Sequence, residues 1–434
     1  MDSLLHEPPQ RIARRLRERG RRRAFFVRDA SGALRASDSF LAHAAAELTS
    51  LRDFQDHEGL FLEVGAETGS LFAAAVHSTV RGQALGGVRH ATYASGLDFL
   101  RDGLRLSQGM TRKSALAGLW WGGGKGVIAR GADDLSEQPA YRATLYGEYG
   151  AFVSGLRGLY VTAEDAGTSP GDMAVVAPAT RFATCVPPSV GGSGDPSVAT
   201  AAGVLCGMRA ALDASGMGGL EGKRIAMQGA GQVGSAMIGQ LLEAGVANIR
   251  VGEVSGVRRE AVLDRFGGSP VEVVAEDPDE PGVLAAPCDV LAPNALGGVL
   301  GPKMIPHVRA RMVCGAANNQ LVDTGRDGRA LSERGILFVP EIVTNRMGVV
   351  HCANEQYGTP KHDPAVERHL SDGWEHAIGP VVRRVLARAE SDGVPPVEAA
   401  NALADEAASR PHPLWPGRGA AILRSLVEER WHER

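Results

Sequence analysis

The stretch RIAMQGAGQVG, residues 224–234, joins a short apolar segment to three glycines in GxGxxG spacing. The apolar part predicts a strand, and residues 232–244 predict a helix. In that setting Gly229 permits a tight turn, Gly231 lets a pyrophosphate approach the backbone, and Gly234 lets the helix pack closely on the sheet. We therefore expect a dinucleotide-binding unit, although a Rossmann-like domain without a cofactor fits the same pattern.

Regular alternation of helices and strands continues around this stretch. The predicted helices are 197–214, 232–244 and 256–265, and the predicted strands are 224–228, 248–253, 271–275, 288–292, 311–315 and 336–340. Such alternation is typical of a mostly parallel, doubly wound sheet. Glu253 ends the second strand, where a carboxylate binds ribose hydroxyls and repels a 2′-phosphate, so NAD is favoured over NADP. Arg258 and Arg259 lie just beyond and could weaken this preference.

The first half of the chain shows a different pattern. Strands broken by turns are predicted over 58–80, with 70–77 the best of them, and helices over 95–110 and 136–155. The first of these helices should end near Met110. The three glycines of GGGK, residues 122–125, do not suit a helix interior and allow close backbone approach to a ligand. A buried strand over 158–162 is followed by Glu164 and Asp165, and acids beyond strand ends are site candidates.

Length and composition restrict the class of protein. A chain of 434 residues favours two domains, and VGGSGDPS, residues 190–197, is the clearest linker. Hydrophobic residues make up 44% and charged residues 22%, which excludes a largely disordered chain. No uncharged apolar run reaches about 18 residues, so no membrane span is expected. The net charge of −4 gives no general argument for binding nucleic acid.

Two further features bear on compartment and partners. The five cysteines are scattered, without a CxxC pair, so we expect neither a disulfide framework nor a zinc or other metal site. With no secretory signal visible, a reducing cytoplasm is the expected compartment. Eight arginines lie within residues 11–23; they indicate either a solvated helix, which we favour, or a patch for nucleic acid or an acidic partner.

Lysine is rare, because 41 of the 46 cationic residues are arginine. An ammonium can lose its proton near neutral pH when it is desolvated, whereas a guanidinium cannot. Lys125, after the glycines, is therefore a candidate general base, and Lys113 a candidate cation for a carboxylate. Asp165 could exchange a proton with a substrate amine. A helix-end cation, a surface lysine and a turn former remain the structural alternatives for these three residues.

With these residues in place, the sequence resembles the superfamily of leucine, phenylalanine, valine and glutamate dehydrogenases, and is closer to the leucine and phenylalanine branch. Nine stretches carry the resemblance, in order: ALGGVRHATY (84–93), GMTRKSALAG (109–118), GGGKGVI (122–128), VTAEDAGT (161–168), GGSGDPSVATA (191–201), QGAGQVG (228–234), CDVLAPNALGGVL (288–300), GAANNQL (315–321) and PEIVTNRMG (340–348).

The resemblance implies NAD-dependent oxidative deamination of an L-amino acid to a 2-oxo acid with release of ammonia, and the reverse reaction. It implies Lys125 and Asp165 as catalytic residues and Lys113 as the carboxylate ligand. It places Asp195 and Pro196 at a hinge. The other implied substrate-binding residues are Gly86, Gly87, Leu85, Met110, Ala163, Asn345, Val349 and Cys352. The implied cofactor-binding residues are Gly229, Ala230, Gly231, Gln232, Val233, Gly234, Glu253, Val254, Thr200, Ala295 and Asn318.

The resemblance also bears on the substrate. In glutamate dehydrogenases a lysine pairs with the side-chain carboxylate at the position of Leu85, so glutamate is disfavoured here. The implied pocket of Leu85, Ala163, Val349 and Cys352 is apolar and suits an aliphatic or aromatic side chain.

Three departures from the family pattern leave the choice of substrate open. Arg346 and Met347 replace small residues of an NAGG motif, and a Trp120–Trp121 pair precedes GGGK. His351 could bond a polar substrate or face the surface between domains.

The expected fold is α/β with two domains and a cleft between them. Residues 1–195 plus 360–434 would form a discontinuous domain for substrate binding and homo-oligomerisation, and residues 196–359 the NAD-binding Rossmann domain. Two other functions stay open: the same chemistry on a specialised amino acid of secondary metabolism, and a catalytically silent dinucleotide-binding sensor or scaffold.

Overall fold

The computed structural model describes residues 4–131, 135–278, 280–360 and 362–434. The first half forms one mixed sheet with helices on both faces. Its strands are β1 (Arg23–Arg28), β2 (Leu34–Ala36), β3 (Gly59–Val64), β4 (Leu71–Ser78), β5 (Ala84–Ala91), β6 (Gly122–Ala129) and β7 (Tyr160–Glu164). Its helices are α1 (Pro9–Glu18), α2 (Ala42–Ser50), α3 (Gly96–Leu116), α4 (Pro139–Gly155) and α5 (Pro170–Val176).

The strand order of this first sheet is β2-β1-β3-β4-β6-β5-β7. Neighbours are antiparallel from β2 to β6, whereas β6, β5 and β7 are parallel. Residues of α3, such as Phe99 and Leu104, pack on one face, and residues of α4, such as Tyr149 and Phe152, belong to the core on the other. The parallel strands therefore bring their carboxyl ends to one edge, where a site is expected.

One prediction in this half was wrong in detail. Helix α3 does not end near Met110 but continues to Leu116, so Lys113 lies in its last turn. The glycines of GGGK lie inside β6 and pack closely against protein atoms. A Cβ added at Gly123 would collide with the backbone oxygen of Ser107 in α3, and one at Gly124 would meet the ring of Tyr160 at 2.7 Å.

The second half contains a parallel sheet. Its strands are β8 (Arg224–Gln228), β9 (Asn248–Glu253), β10 (Val271–Ala275), β11 (Val290–Pro293), β12 (Met312–Val313) and β13 (Leu337–Phe338). The helices around it are α6 (Ser197–Ala214), α7 (Gln232–Glu243), α8 (Gly256–Phe266), α9 (Thr324–Glu333), α10 (Glu341–Thr344) and α11 (Met347–Ala353).

The strand order of this second sheet is β10-β9-β8-β11-β12-β13. Numbered from β8, the order is 3-2-1-4-5-6, which is that of the dinucleotide-binding Rossmann fold. Core clusters on its two faces bury residues of α6 and α7 on one side and of α9 on the other. The predicted doubly wound α/β fold is confirmed.

The C-terminal segment contacts both halves of the chain. It contains α12 (Pro364–Glu367), α13 (Ile378–Asp392), α14 (Pro396–Ala408) and α15 (Arg418–Glu428). Helix α13 packs on α6, while α14 packs on both α3 and α9. Leu426 of α15 lies in the core of the first sheet. The assignment of residues 360–434 to the first domain stays a prediction.

The arginines of residues 11–23 take part in local pairing. Arg14 and Arg15 face Glu18 on the same helix, and Arg22 and Arg23 both bind the buried carboxylate of Glu63. Several of these charges are therefore compensated within the fold.

The described ranges lack both a membrane span and a metal-ligand cluster. No helix there is long and apolar enough to cross a bilayer. No group of three His, Cys, Asp or Glu side chains in the same ranges is placed to hold a metal ion.

The prediction that the cysteines form no disulfide was wrong. Cys185 and Cys352 are bonded to each other, with their Cα atoms 5.6 Å apart. They are 167 residues apart in sequence, so spacing carried no signal, and only the fold brings them together. Among the described cysteines, Cys206, Cys288 and Cys314 are free thiols.

Removing this disulfide should destabilise the protein. Cross-linking across so long a loop limits the unfolded chain and stabilises by about 2–5 kcal/mol. We expect Cys185→Ser to lower the melting temperature by several degrees, and a reductant to lower that of the wild type to the same value. Cys206→Ser, which removes a free thiol, is the matched control. Identical melting of Cys185→Ser and wild type under oxidising conditions would contradict the prediction.

Candidate active site

A cavity of about 410 Å³ opens between the two halves of the chain. It gathers every residue implied for substrate binding and four of those implied for the cofactor. Its lining includes Leu85, Gly86, Gly87, Met110, Lys113, Lys125, Ala163, Asp165, Asn345, Val349 and Cys352 from the first group, and Thr200, Gln232, Val233 and Asn318 from the second. Its surface is largely apolar, with a few charged groups that converge.

The central polar contact is an ion pair between Lys125 of β6 and Asp165, which follows β7. Lys125 Nζ lies 2.6 Å from Asp165 Oδ2, and the lysine side chain is only 6% exposed. Burial lowers the pKa of Lys125, and the Asp165 carboxylate opposes this shift. Burial would raise the pKa of Asp165, but Lys125 and Arg89 outweigh it and hold that pKa below its ordinary value. The pair therefore favours an ionised acid beside an ammonium that is poised to lose its proton.

Arg89 of β5 completes this cluster. Its Nε donates to Asp165 Oδ2 at 3.1 Å, and its Nη1 donates to both carboxylate oxygens of Asp102 in α3 at 3.1 Å. Because β5 lies between β6 and β7, Arg89 joins the strand pair to the helix. It fixes the orientation of the Asp165 carboxylate.

Lys113 lies on the other side of the cavity. Burial lowers its pKa to about 8, and the nearby Glu341 carboxylate opposes the shift. Its Nζ donates to Asn318 Oδ1 at 3.0 Å, and Asn345 Nδ2 donates to the same oxygen at 3.0 Å. The last turn of α3 is thereby joined to the loops after β12 and α10. An anionic group in the cavity would meet a cation at this position.

Two glycines of β5 bring backbone close to the cavity. A Cβ at Gly86 would collide with the carbonyl oxygen of Gly124 in β6, and one at Gly87 with that of Glu164. The parallel strands can approach each other here only without side chains.

The glycine-rich loop after β8 has the geometry expected for a dinucleotide. Gly229 has φ +90°, and a Cβ at Gly234 would collide with the Gly229 oxygen, whereas Gly231 faces open space. Glu253 Oε2 accepts from the Ala230 amide at 2.8 Å, and its Oε1 from the Ser255 amide at 2.9 Å. The carboxylate at the end of β9 therefore lies beside the loop.

A second, larger cavity of about 1220 Å³ flanks this loop. Its lining includes five of the implied cofactor-binding residues, namely Gly229, Gly231, Glu253, Val254 and Ala295. Gln232 and Val233, at the start of α7, line the first cavity instead. The loop thus separates a wide cavity from the one that holds the lysines, as a cofactor with two nucleotide halves requires.

The residues that depart from the family pattern lie outside the lining of the first cavity. Arg346 is fully buried and donates to the backbone oxygens of Leu116 and His376. Met347 is also fully buried. His351 Nε2 lies 2.8 Å from the carbonyl oxygen of Ser193, so it faces the linker and not a substrate.

Sequence reasoning missed several residues of the cleft. Glu341 at the start of α10 is buried, accepts from the Asn319 amide at 2.9 Å, and has its pKa raised by burial. Burial, followed by the Asp195 carboxylate, raises the pKa of Glu164 to about 7. The buried Glu341 carries no local spacing signal. The sequence did mark Glu164 as a site candidate beside Asp165, but it assigned a role only to Asp165.

Comparison with known families assigns both halves of the chain. Residues 67–182 match the family model "Glu/Leu/Phe/Val dehydrogenase, dimerisation domain". Residues 191–410 match "Glutamate/Leucine/Phenylalanine/Valine dehydrogenase". Together the two matches span most of the sequence.

Individual proteins similar to this chain belong to the same group of amino-acid dehydrogenases. The chain is 38% identical over 365 residues to leucine dehydrogenase of Bacillus subtilis, covering 84% of this chain and 94% of the relative. It is 37% identical over 360 residues to valine dehydrogenase of Streptomyces coelicolor, covering 82% and 94%. The crystal structure of L-tryptophan dehydrogenase from Nostoc punctiforme superposes with a TM-score of 0.64 at 30% identity, covering 81% of this chain and 96% of that one. The chain therefore belongs to the glutamate/leucine/phenylalanine/valine dehydrogenase family and is an amino-acid dehydrogenase.

Proposed function

We propose that the protein catalyses oxidative deamination of nonpolar L-amino acids to 2-oxo acids and ammonia with NAD, and the reverse reductive amination. The observation that supports this most directly is the convergence of Lys113, Lys125 and Asp165 in one largely apolar cavity beside the glycine-rich loop. The leucine, valine and tryptophan dehydrogenases among its relatives act on amino acids of this class.

Lys113 is proposed to hold the substrate carboxylate. Its ammonium is anchored to Asn318, so one N–H direction is fixed and the others remain for a ligand. A substrate carboxylate would add a negative charge to that of Glu341 beside this buried lysine, which favours its protonated form. Asn345, bound to the same amide oxygen, keeps Asn318 in place.

Lys125 and Asp165 are proposed to move the protons. After hydride loss from Cα, Lys125 in its neutral form takes a proton from the water that attacks the resulting iminium carbon. The Asp165 carboxylate, 2.6 Å from Lys125 Nζ, takes a proton from the Lys125 ammonium and passes it to the amine of the carbinolamine. The neutral Lys125 then accepts the proton of the carbinolamine hydroxyl, the C–N bond breaks, and ammonia leaves as the carbonyl forms. Arg89 positions Asp165 without touching the substrate.

A nicotinamide cofactor, as the family implies, supplies the hydride acceptor when it is bound. Gly231 and the amides that begin α7 would hold its pyrophosphate, and Thr200, Gln232 and Asn318 line the cavity on the nicotinamide side. We propose NAD rather than NADP because the Glu253 carboxylate lies beside the loop and would repel a 2′-phosphate. Arg258 Nη1, 3.9 Å from Glu253 Oε1, is directed towards that carboxylate.

The side-chain end of the cavity is proposed to set the preference for nonpolar substrates. Leu85, Ala163, Val349 and Cys352 line it, and Cys352 is held by its disulfide to Cys185. None of these four side chains offers a charge to a substrate carboxylate, so glutamate would bury its second carboxylate unpaired.

Assembly is proposed to involve a second copy of the chain. The match to a dimerisation domain over residues 67–182 supports a homo-oligomer formed through the first half.

The proposed reaction predicts NADH formation with a panel of L-amino acids. We expect turnover of aliphatic or aromatic substrates with NAD, little with glutamate, and less with NADP. Lys125→Ala should lower kcat by at least about 100-fold, because the base is lost, while NADH binding measured by fluorescence persists. The proposed reaction would be contradicted if the wild type formed no NADH with any amino acid of the panel. The role of Lys125 would be contradicted if Lys125→Ala no longer bound NADH.

Replacing Lys113 should separate substrate binding from cofactor binding. We expect Lys113→Ala to raise KM for the amino acid by roughly 10–100-fold, the value of a charge-assisted hydrogen bond. The dissociation constant of NADH should not change. Lys223→Ala removes an ammonium that lines neither cavity and should leave both constants unchanged. An unaltered KM in Lys113→Ala would count against carboxylate binding.

The Asp165 carboxylate should control the titration of Lys125. Because Asp165 raises the pKa of Lys125, Asp165→Asn should lower that pKa further. The limb of the pH profile of kcat/KM on which Lys125 must lose its proton should then move to lower pH by roughly 1–3 pH units. Glu164→Gln, at the adjacent carboxylate, should leave this limb in place. A limb that stays fixed or moves to higher pH in Asp165→Asn would refute the coupling.

A further inference from the structure

A third cavity, of about 200 Å³, shares no lining residue with the substrate cleft. It forms where the segment before β6, the segment after α11 and the segment before α15 meet. Aromatic side chains make up much of its wall: Trp120, Trp121, Tyr357, His412 and Trp415. Trp120, Trp415 and Tyr357 are 41%, 52% and 75% exposed, which is unusual for rings of this size.

The charged groups that line this cavity are hydrogen-bond donors. Arg368 and Arg418 line it, and neither forms an ion pair within the described part of the chain. His412 Nδ1 accepts from the amides of Leu414 and Trp415 at 3.1 Å, so the neutral ring carries its proton on Nε2. Trp121, which also lines the cavity, is only 8% exposed.

Positive charge is concentrated around these donors. None of the residues that line the cavity is Asp or Glu. Arg81 lies over the ring of Trp120 at 4.2 Å, and burial together with Arg410 lowers its pKa to about 10. Burial, and then Arg81 and Arg418, also lower the pKa of His412. An anion here would relieve repulsion among cations in a chain whose net charge is −4.

We propose that this cavity is a second ligand site, which binds a planar aromatic ring bearing a carboxylate or a phosphate. Its volume suits a single ring system. Arg81 lies over the ring of Trp120, and His412 stacks on Trp415. The parts of these two indoles that stay exposed offer aromatic surface to a bound ring. The guanidinium groups of Arg368 and Arg418 suit the anionic group, because they offer planar donor pairs. A neutral aromatic ring would contact the indoles without pairing with the arginines, and an anion without a ring would do the reverse.

The site is connected to both walls of the cleft through the backbone. Trp121 directly precedes β6, which carries Lys125, and Asn354 directly follows α11, which carries Val349 and Cys352. Occupancy is therefore expected to change turnover. That effect rests on the proposed dehydrogenase function, whereas binding does not.

Isothermal titration of the full chain, with NADH present to fill the proposed dinucleotide site, tests binding directly. The probes are AMP and indole-3-carboxylate, which distinguish a nucleotide from an aromatic acid, with adenosine and inorganic phosphate as single-feature controls. We expect one of the two probes to bind at one site per chain and both controls to bind at least about tenfold more weakly. Arg418→Glu and Trp415→Ala should each raise the dissociation constant at least about tenfold. Arg424→Glu makes the same charge change elsewhere on α15 and should leave it unaltered.

Three outcomes would overturn the proposal. The first is absence of binding of both probes to the wild type at millimolar concentration. The second is binding that survives Arg418→Glu, because the probe then occupies the cleft or the glycine-rich loop. The third concerns Trp415→Ala. If this variant neither binds a probe nor self-associates in sedimentation, the surface is a contact between subunits. A wild type that binds a probe but turns over no amino acid would contradict the proposed function and not the second ligand site.

Discussion

The buried ion pair between Lys125 and Asp165 is the interaction on which the rest of the cleft depends. The Lys125 side chain is only 6% exposed and that of Asp165 19% exposed, so removing Asp165 leaves a buried ammonium without its carboxylate partner. The two residues come from β6 and from the end of β7, and β5 lies between these strands in the sheet. Their contact therefore requires a parallel register in which all three strands end at one edge. Arg89 of β5 secures this register by binding Asp165 and Asp102 together.

Glycine makes that register possible. Gly122, Gly123 and Gly124 each lie against a neighbouring backbone atom or ring, where an added Cβ would collide or be crowded. The contact at Gly123 lets α3 lie directly on β6, which brings Lys113 in the last turn of α3 over the cavity that Lys125 enters from the strand. Lys113 and Lys125, which are close in sequence, therefore lie on two different walls of the cavity. A side chain at Gly123 would separate those walls and weaken both proposed roles together.

The first three strands of the Rossmann half could be predicted from the sequence, because their pattern is local: β8, β9 and β10 match the predicted strands at both ends. The bounds of β11, β12 and β13 differ from the prediction, and α9 was not predicted. The first half was harder. The hydrophobic spacing in α3 faded after Leu106, yet the helix continues, because Lys113 and Ser114 are buried against other elements rather than exposed. Resemblance identified about half of the residues that line the cleft. It could not identify Arg89, Glu341 or the Cys185–Cys352 bond, since each depends on a partner distant in sequence.

The departures from the family pattern are best understood by where they lie. Arg346 and Met347 are buried away from the cleft, and the Trp120–Trp121 pair lines a separate cavity. The four residues proposed for the side-chain pocket remain apolar. A specialised substrate is therefore not required to explain these departures. Arg346 holds the carbonyl of Leu116, the last residue of α3, so a bulky cation at this position braces the helix that carries Lys113. The unusual residues thus act on the shape of the cleft from outside it, through the elements that hold its lysines.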